Sequence, residues 1–276
     1  MSAARPSAGS KVAVIGLGLV GGSLARALTA AGYRVLGVDR PAVCRQARAA
    51  GAVAETASAV ERAVASDILV LAAPPAVNRR LLRRLAKVAR PGLVVTDVGS
   101  VKGPIVREAA RLRLSFFVGG HAMAGTERRG FAASSAGLFE GAVWWLVPAA
   151  NPRATRTVRT LVRAVGARPM TIDAARHDRV VAFLSHAPQI ASWALHEAAR
   201  ADPVVRRYLS GAGPGFRDMT RLARSPEGLW REILQENRAE VTRALDVVAR
   251  RLAARAPVAT GSKKRRRPPS PSGRKR

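Results

Sequence analysis

Residues 11–21 read KVAVIGLGLVG, a short apolar run that leads directly into three glycines spaced as GxGxxG. The apolar run, Lys11–Ile15, predicts a fully buried strand, because a half-exposed strand would alternate apolar and polar side chains. Residues 22–31 then have the pattern of a helix, and Gly32 follows as a helix stop. The stretch therefore predicts a strand, a tight glycine turn and a helix, which together open a parallel sheet.

The three glycines and the start of the helix form a predicted dinucleotide-binding turn. Gly16 permits the tight turn, Gly18 lets a pyrophosphate approach the backbone, and Gly21 allows close packing of the helix on the strand. Leu19 and Val20 lie between the last two glycines, just before the predicted helix, whose unpaired N-terminal N–H groups and positive dipole end favour phosphate.

The second predicted strand, Arg34–Val38, ends at a carboxylate that favours NAD. Asp39 lies 18 residues beyond Gly21, where a carboxylate accepts hydrogen bonds from ribose hydroxyls and repels a 2′-phosphate. Arg40, the next residue, can instead pair with a 2′-phosphate, so NADP stays open as the alternative cofactor. Pro74 follows a third strand and is expected to line the cofactor site at the same edge of the sheet.

Predicted strands alternate with helices up to residue 172, which is typical of repeated βαβ units. Further strands are expected at residues 67–72, 93–96, 116–118, 142–147 and 169–172, and further helices at 42–50 and 77–89. We predict an α/β fold in which residues 10–172 form a Rossmann-type doubly wound parallel sheet.

After Asp173 the pattern is almost wholly helical, and residues 173–256 are predicted to form an all-helical second domain. Its helices are expected at residues 180–199, 203–208, 218–223 and 228–255, with a glycine-rich break at 211–215. Residues 257–276 carry eight Lys and Arg and no acidic residue, so we expect a disordered basic tail.

The net charge of +29 allows two interpretations. Arginines spread over a solvated surface explain it, and binding of nucleic acid or another polyanion through the tail is the alternative. Aromatic residues make up only 4% of the chain, which disfavours a nucleic-acid surface because base stacking needs aromatic side chains. Nucleic acid is therefore not an expected partner.

Cysteine and histidine usage argues against metal and disulfide sites. Cys44 is the single cysteine, so an internal disulfide is impossible, and the four histidines are too scattered to predict a metal site. No apolar run reaches the roughly 20 residues that a membrane-spanning helix needs, and residues 1–10 lack an apolar signal segment. We expect a cytoplasmic protein.

Two further loops at the ligand edge of the sheet carry candidate chemistry. In residues 96–102, TDVGSVK, Ser100 can donate to a substrate oxygen; the alternative for Ser100 and Lys102 is a helix cap and a surface charge. In residues 119–127, GGHAMAGTE, His121 is a natural general base in a predicted glycine-flanked loop, although a structural histidine is the alternative.

Five segments in order resemble the prephenate/arogenate dehydrogenase family of tyrosine biosynthesis. They are GLGLVGGS at 16–23, VTDVGSVK at 95–102, GGHAMAGTE at 119–127, HDRVVAFLSHAPQ at 177–189 and GFRDMTRLARSPEGLW at 215–230. The resemblance covers residues 11–255 and implies a Rossmann domain followed by a helical dimerisation domain. It also implies a homodimer that oxidises and decarboxylates a cyclohexadiene, prephenate and/or arogenate, with hydride transfer to NAD or NADP.

The resemblance implies a role for each matching residue. His121 corresponds to the catalytic base at the ring hydroxyl, and Ser100 to a residue that binds this hydroxyl and orients the base. Residues expected at the substrate are Thr126, Glu127, Gln189, Arg221 and Trp230; Arg221 would hold a carboxylate, and Glu127 would gate entry with Asp218. His177 and His186 are expected to pack and cap at the seam between the domains.

The chain departs from the family pattern at two positions. Gln189 stands where many members have a second histidine that contacts substrate, and a neutral amide would hold a dicarboxylate less firmly but accommodate the amino-acid side chain of arogenate. Ala122 replaces the usual proline after His121, which should loosen that loop. The alternatives within the enzymes are a β-hydroxyacid dehydrogenase or imine reductase, and a 4-amino-4-deoxyprephenate dehydrogenase.

Overall fold

The structure is a computed structural model and describes residues 9–225 and 227–256. The predicted tail, residues 257–276, lies outside the described residues. The described strands are β1 Lys11–Ile15, β2 Arg34–Val38, β3 Glu55–Ala57, β4 Ile68–Leu71, β5 Val94–Asp97, β6 Phe117–Ala122, β7 Val143–Val147 and β8 Arg168–Thr171.

These strands form one sheet in the order β3-β2-β1-β4-β5-β6-β7-β8. Neighbouring strands are parallel except for β6 and β7, which are antiparallel. The order reverses around β1, so the carboxyl ends of β1 and β4 border the crevice in which such sheets bind ligands. The predicted doubly wound α/β fold is confirmed.

Helices cover both faces of the sheet and form the whole C-terminal part. They are α1 Leu19–Ala30, α2 Pro41–Ala49, α3 Pro75–Val88, α4 Gly103–Arg111, α5 Pro152–Ala164, α6 Ala174–Val181, α7 Ala187–Ala201, α8 Pro203–Arg207, α9 Pro214–Thr220, α10 Glu227–Glu236 and α11 Arg238–Ala253. None of the described helices is long and apolar enough to cross a membrane.

Successive side chains of each strand point to opposite faces of the sheet, so the core is divided into two clusters, one on each face. Val12 and Val14 of β1 belong to a buried cluster with α1, α2 and α5, whereas Ala13 and Ile15 belong to a second cluster with α3 and α4. Because both faces are covered, β1 and β4 read as continuous apolar runs, which is why the sequence predicted them well.

His121 lies inside a strand and not in the loop that its flanking glycines predicted. β6 continues through Ala122 because it pairs with β7, where His121 opposes Trp145. Gly120 serves close packing: a Cβ there would lie 2.3 Å from the backbone oxygen of Asp97. The glycines next to His121 thus let two strands approach and do not make a flexible loop.

Two long predicted helices are each broken. The helix predicted at 180–199 is α6 and α7 joined by a π-helical turn, Ala182–His186, which precedes Pro188. Proline has no N–H to donate within the helix, so a local bulge accommodates it. The helix predicted at 228–255 is α10 and α11, separated at Asn237.

Smaller differences from the predictions concern short or capped elements. α9 begins at Pro214, inside the break predicted at 211–215. The helix predicted at 218–223 is instead the end of α9 followed by a 3₁₀ turn, Arg221–Arg224. β3 was not predicted, because it is a three-residue strand with only partly buried side chains and has no apolar run. α1 begins at Leu19, three residues earlier than predicted, because the last glycines of the turn already belong to its first turn.

Candidate active site

The glycine turn has the close contacts that its sequence predicted. Gly16 has φ +95°, and a Cβ there would lie 2.6 Å from the backbone oxygen of Ala72. A Cβ at Gly21 would lie 1.8 Å from the backbone oxygen of Gly16, so this position needs glycine for helix–strand packing. A Cβ at Gly18 would meet nothing within 4 Å, because Gly18 lines an open cleft.

Asp39 is hydrogen-bonded to the same turn. Its Oδ2 accepts from the backbone N–H of Leu17 at 2.7 Å, and its Oδ1 accepts from the N–H of Arg40 at 2.6 Å. Each carboxylate oxygen has a second lone pair, so Asp39 keeps capacity for ligand hydroxyls. The Arg40 side chain is 87% exposed and projects beside this carboxylate.

Two adjoining cavities collect most of the predicted site residues. The first, of about 340 Å³, is lined by the glycine turn, by Pro74 and by Arg128 and Arg129. The second, of about 380 Å³, is lined by His121, Thr126, Glu127, Gln189 and Arg221. Leu19, Val20, Ser100, Thr126 and Trp230 line both, so the cavities form one continuous cleft between the sheet and the helical part.

The predicted gate is not formed in this structure. Glu127 and Asp218 are both exposed, and no ion pair joins them among the described residues. Asp218 lies on α9 and does not line either cavity.

His121 is buried and hydrogen-bonded to a second histidine. Its Nδ1 lies 2.9 Å from Nε2 of His177, and Nδ1 of His177 lies 2.8 Å from Oδ1 of Asp178. His177 is fully buried on α6, as a packing role predicts, and is in addition hydrogen-bonded to both His121 and Asp178. No local sequence signal pairs residues 56 positions apart, and only the fold brings them together.

A buried ion pair fixes the two loops that border His121. Lys102 is fully buried, so the surface-charge interpretation was wrong; its Nζ pairs with Asp97 and donates to the backbone oxygen of Gly120 at 2.7 Å. Asp97 accepts from the N–H groups of Gly99 and Gly120, both at 2.9 Å. Since Gly99 precedes Ser100 and Gly120 precedes His121, this pair holds the two candidate catalytic residues in register.

Burial keeps the histidines at the site neutral. Desolvation lowers the pKa of His121 well below its ordinary value, and the nearby His177 and Lys102 lower it further. The pKa of His177 is lowered by burial, although its hydrogen bond to Asp178 opposes this. A neutral imidazole is the form that accepts a proton, so His121 has the protonation state of a general base.

Residues of the helical part close the cleft from the other side. Nε2 of Gln189 donates to the backbone oxygen of Leu222 at 2.7 Å, and Oε1 of Gln189 has no hydrogen-bond partner among the described residues. His186 contacts Trp230 edge-on at a ring distance of 5.9 Å, and its Nδ1 lies 3.1 Å from Nδ2 of Asn237. Gln189, Leu222 and Trp230 line the cleft, whereas His186 and Asn237 support it from behind and line neither cavity.

The fold and the cleft define a class: a two-part α/β protein built like the Rossmann-type oxidoreductases. Residues 24–171 match the model of the prephenate dehydrogenase nucleotide-binding domain, and residues 173–260 match that of its dimerization domain. The chain belongs to the prephenate dehydrogenase family, as the five sequence segments predicted.

Individual relatives agree with this assignment. Prephenate dehydrogenase of Lactococcus lactis is 34% identical over 82% of this chain and 65% of its own length. Prephenate dehydrogenase of Aquifex aeolicus, solved with hydroxyphenyl propionate and NAD+, is 30% identical with a TM-score of 0.81 and covers 89% of this chain and 88% of that one. Synechocystis arogenate dehydrogenase is 29% identical with a TM-score of 0.77 over 88% and 90%.

The chain spans 65% and 66% of the length of the curated relatives from Lactococcus lactis and Bacillus subtilis. The first family match begins at residue 24, so the glycine turn at residues 16–21 lies just before it. The assignment of residues 16–21 as a dinucleotide-binding turn is therefore supported by the geometry of the turn and not by the family match.

Proposed function

We propose that this chain catalyses the oxidative decarboxylation of prephenate to 4-hydroxyphenylpyruvate, and/or of arogenate to tyrosine, with hydride transfer to NAD(P)+. One observation carries the proposal: a buried, neutral histidine, His121, lines the same continuous cleft as the glycine turn, Ser100 and Arg221. The ligands named for the Aquifex aeolicus relative, a hydroxyphenyl acid and NAD+, support it. The place in metabolism would be tyrosine biosynthesis.

NAD fits the first cavity. The open side of Gly18 leaves room for a pyrophosphate, and the N-terminus of α1 has no side-chain cap to compete for its N–H groups. Arg128 and Arg129, which sequence reasoning missed, line the same cavity and bring positive charge to the phosphates. Asp39 favours NAD over NADP, with Arg40 as the residue that would admit the 2′-phosphate.

His121 and the residues around it have separate roles in the proposed reaction. His121 takes the proton of the ring C4 hydroxyl as the C4 hydride leaves, and the bound nicotinamide supplies the hydride acceptor. The C1–carboxylate bond then breaks to release CO₂, its electron pair aromatises the ring, and His121 returns the proton to the phenolate oxygen. Ser100 donates to the same oxygen, and Arg221 holds a substrate carboxylate through its planar guanidinium.

The remaining lining residues shape the pocket and its entrance. Thr126 and Glu127 border it on the sheet side, and Trp230 closes it from α10. We assign the gating role to Glu127 with Asp218, which would have to move together from their present exposed positions.

We also propose that the chain acts as a homodimer through its helical part. The described residues after 173 present an unusual number of exposed large apolar side chains: Leu184, Leu195, Val204, Val205, Tyr208, Met219 and Leu252. Such exposure marks an interface, and the second family model is described as a dimerization domain. Light scattering should give twice the chain mass, and a monomer at micromolar concentration would contradict the proposal.

Initial rates with prephenate, arogenate and 4-amino-4-deoxyprephenate, each with NAD and NADP, test the activity. We expect turnover of at least one of the first two with NAD. His121→Asn should lower kcat by at least about 10²-fold while NAD binding stays nearly unchanged, because the base is lost and the glycine turn is not. No aromatic product from any of the three substrates would reject the proposal.

A further inference from the structure

Hydrogen positions along the His121–His177–Asp178 chain are set by its last member. Burial raises the pKa of Asp178, but the hydrogen bonds from His177, Lys102 and Gly103 outweigh this and lower it overall. Asp178 is therefore a carboxylate, which only accepts hydrogen bonds. Nδ1 of His177, 2.8 Å from its Oδ1, must then carry the hydrogen.

The hydrogen on Nδ1 of His177 in turn fixes the position of the hydrogen on His121. Neutral His177 carries one ring hydrogen, and since this is on Nδ1, its Nε2 is an acceptor. Nδ1 of His121, 2.9 Å away, must supply the hydrogen of that bond. Neutral His121 then has its free lone pair on Nε2, which is the nitrogen left to accept a proton from substrate in the cleft that His121 lines.

Asp178 is itself held rigidly from the other part of the molecule. Its Oδ1 accepts from the backbone N–H of Lys102 at 2.7 Å, and its Oδ2 accepts from that of Gly103 at 2.8 Å. Both N–H groups lie at the N-terminus of α4, where a carboxylate also meets the positive end of the helix dipole. A residue of the helical part thus docks on the sheet part and contacts the base through one histidine.

We infer that Asp178, acting through His177, is a positioning residue that fixes the tautomer of His121 with Nε2 free to act as the base. The inference rests on the proposed function, because only a base at His121 gives the tautomer a consequence. When His121 takes the substrate proton, its Nδ1–H stays bonded to His177, whose other nitrogen is bonded to the carboxylate. The charge of the imidazolium is thereby compensated without any further proton transfer.

Three variants test the inference in the full-length protein. Asp178→Asn should lower kcat by about 10²-fold with little change in the KM of the cyclohexadiene or the Kd of NAD, because Asp178 lines neither cavity and contacts the base only through His177. His177→Leu should have a similar effect, since His121 Nδ1–H then has no acceptor. His177→Gln should recover at least about tenfold over His177→Leu, because an amide oxygen can accept that hydrogen.

Asp173→Asn is the matched control. Asp173 also accepts a backbone N–H, that of Arg176 at the N-terminus of α6, but it is exposed and lines neither cavity, so kcat should stay within about twofold. Equal activities of His177→Gln and His177→Leu, or an unchanged kcat in Asp178→Asn, would overturn the inference.

Nitrogen NMR of histidine-labelled protein reads the tautomer without any assay. We expect His121 to carry its hydrogen on Nδ1 in the wild type, and a protonated Nε2 there would refute the inference. If neither prephenate nor arogenate is oxidised by the wild type, the proposed function fails. If the wild type is active and the variants behave like Asp173→Asn, only the inference fails.

Discussion

At the scale of single residues, Lys102 forms a buried ion pair whose loss should be costly. It and Asp97 are both almost completely excluded from solvent and form an ion pair, and Asp97 also accepts from the N–H groups of Gly99 and Gly120. Lys102→Met keeps the approximate volume but leaves the carboxylate of Asp97 buried without its cation, with only the two backbone N–H groups to stabilise the charge. We expect a loss of about 3–5 kcal/mol in the free energy of unfolding, measured by urea denaturation.

The control for this prediction is Lys87→Met. Lys87 lies on the exposed side of α3, and its replacement should change the free energy of unfolding by less than about 0.5 kcal/mol. Equal stability of the Lys102 and Lys87 variants would show that the buried pair contributes nothing.

Gln189 is a second residue whose geometry has a measurable consequence. Its Nε2 donates to the backbone oxygen of Leu222, so the end of the amide left without a partner is Oε1, which is an acceptor. The side-chain ammonium of arogenate is a donor, whereas the keto and carboxylate oxygens of prephenate are not. We therefore expect kcat/KM for arogenate to exceed that for prephenate, and Gln189→Met to lower this ratio by about tenfold, since one good hydrogen bond to a charged group is worth 1.5–3 kcal/mol.

Steady-state kinetics with both substrates measures this ratio in each variant. Gln235→Met, on the exposed side of α10, should leave the ratio unchanged. A wild-type preference for prephenate would contradict the role of Oε1.

At the scale of elements, the residue between α10 and α11, Asn237, is anchored by buried hydrogen bonds. Its buried Nδ2 donates to the backbone oxygen of Asp178 at 2.8 Å and meets Nδ1 of His186 at 3.1 Å. Asn237→Ala leaves Nδ1 of His186 without that partner and removes one of two hydrogen bonds to the backbone oxygen of Asp178, which still accepts from the N–H of Ala182. We expect a loss of about 1–3 kcal/mol in the free energy of unfolding by urea denaturation, because buried unsatisfied polar groups cost that much.

Asn151→Ala is the comparison for Asn237→Ala. Asn151 caps α5 through one exposed hydrogen bond, and its loss should cost only about 1 kcal/mol. A smaller loss for Asn237→Ala than for Asn151→Ala would contradict a stabilising role for the buried hydrogen bonds of Asn237.

The elements that sequence predicted and those that it missed differ in what determines them. Continuous apolar runs determine β1 and β4, and spacing alone identifies the glycine turn. The buried hydrogen bonds of Asn237 depend on acceptors supplied by another helix, and the length of β6 depends on pairing with β7. Such features need tertiary partners, so no local pattern could predict them.

At the scale of the whole molecule, the candidate site is assembled from both parts of the chain. The sequence predicted the sheet edge with Ser100 and His121, and resemblance supplied Gln189, Arg221 and Trp230. The predictions from sequence assigned His177 a packing role and Asp178 no role, because their contacts with His121 and Lys102 join α6 to the sheet part and have no local sequence signal. Residues that act through another residue have no motif of their own unless the fold is known.

Three buried neutral histidines also make the stability of the whole fold depend on pH. Burial lowers the pKa of His121 and of His177, and lowers that of His186 to about 4. The ordinary histidine pKa of about 6.5 applies to the unfolded chain, so below that pH the unfolded state binds more protons than the folded one. The stabilising contribution is therefore complete above pH ~6.5 and is lost as the pH falls towards 4.

Urea unfolding at constant protein concentration between pH 7.5 and pH 4.5 measures this dependence. Each histidine should contribute a slope of up to about 1.4 kcal/mol per pH unit between its unfolded and folded pKa values. His186→Asn should be less stable at pH 7.5 but should show a shallower slope below pH 6.5, because one of the three titrating rings is gone. A stability that stays flat from pH 7 to pH 5 in the wild type would contradict the burial of neutral imidazoles at this site.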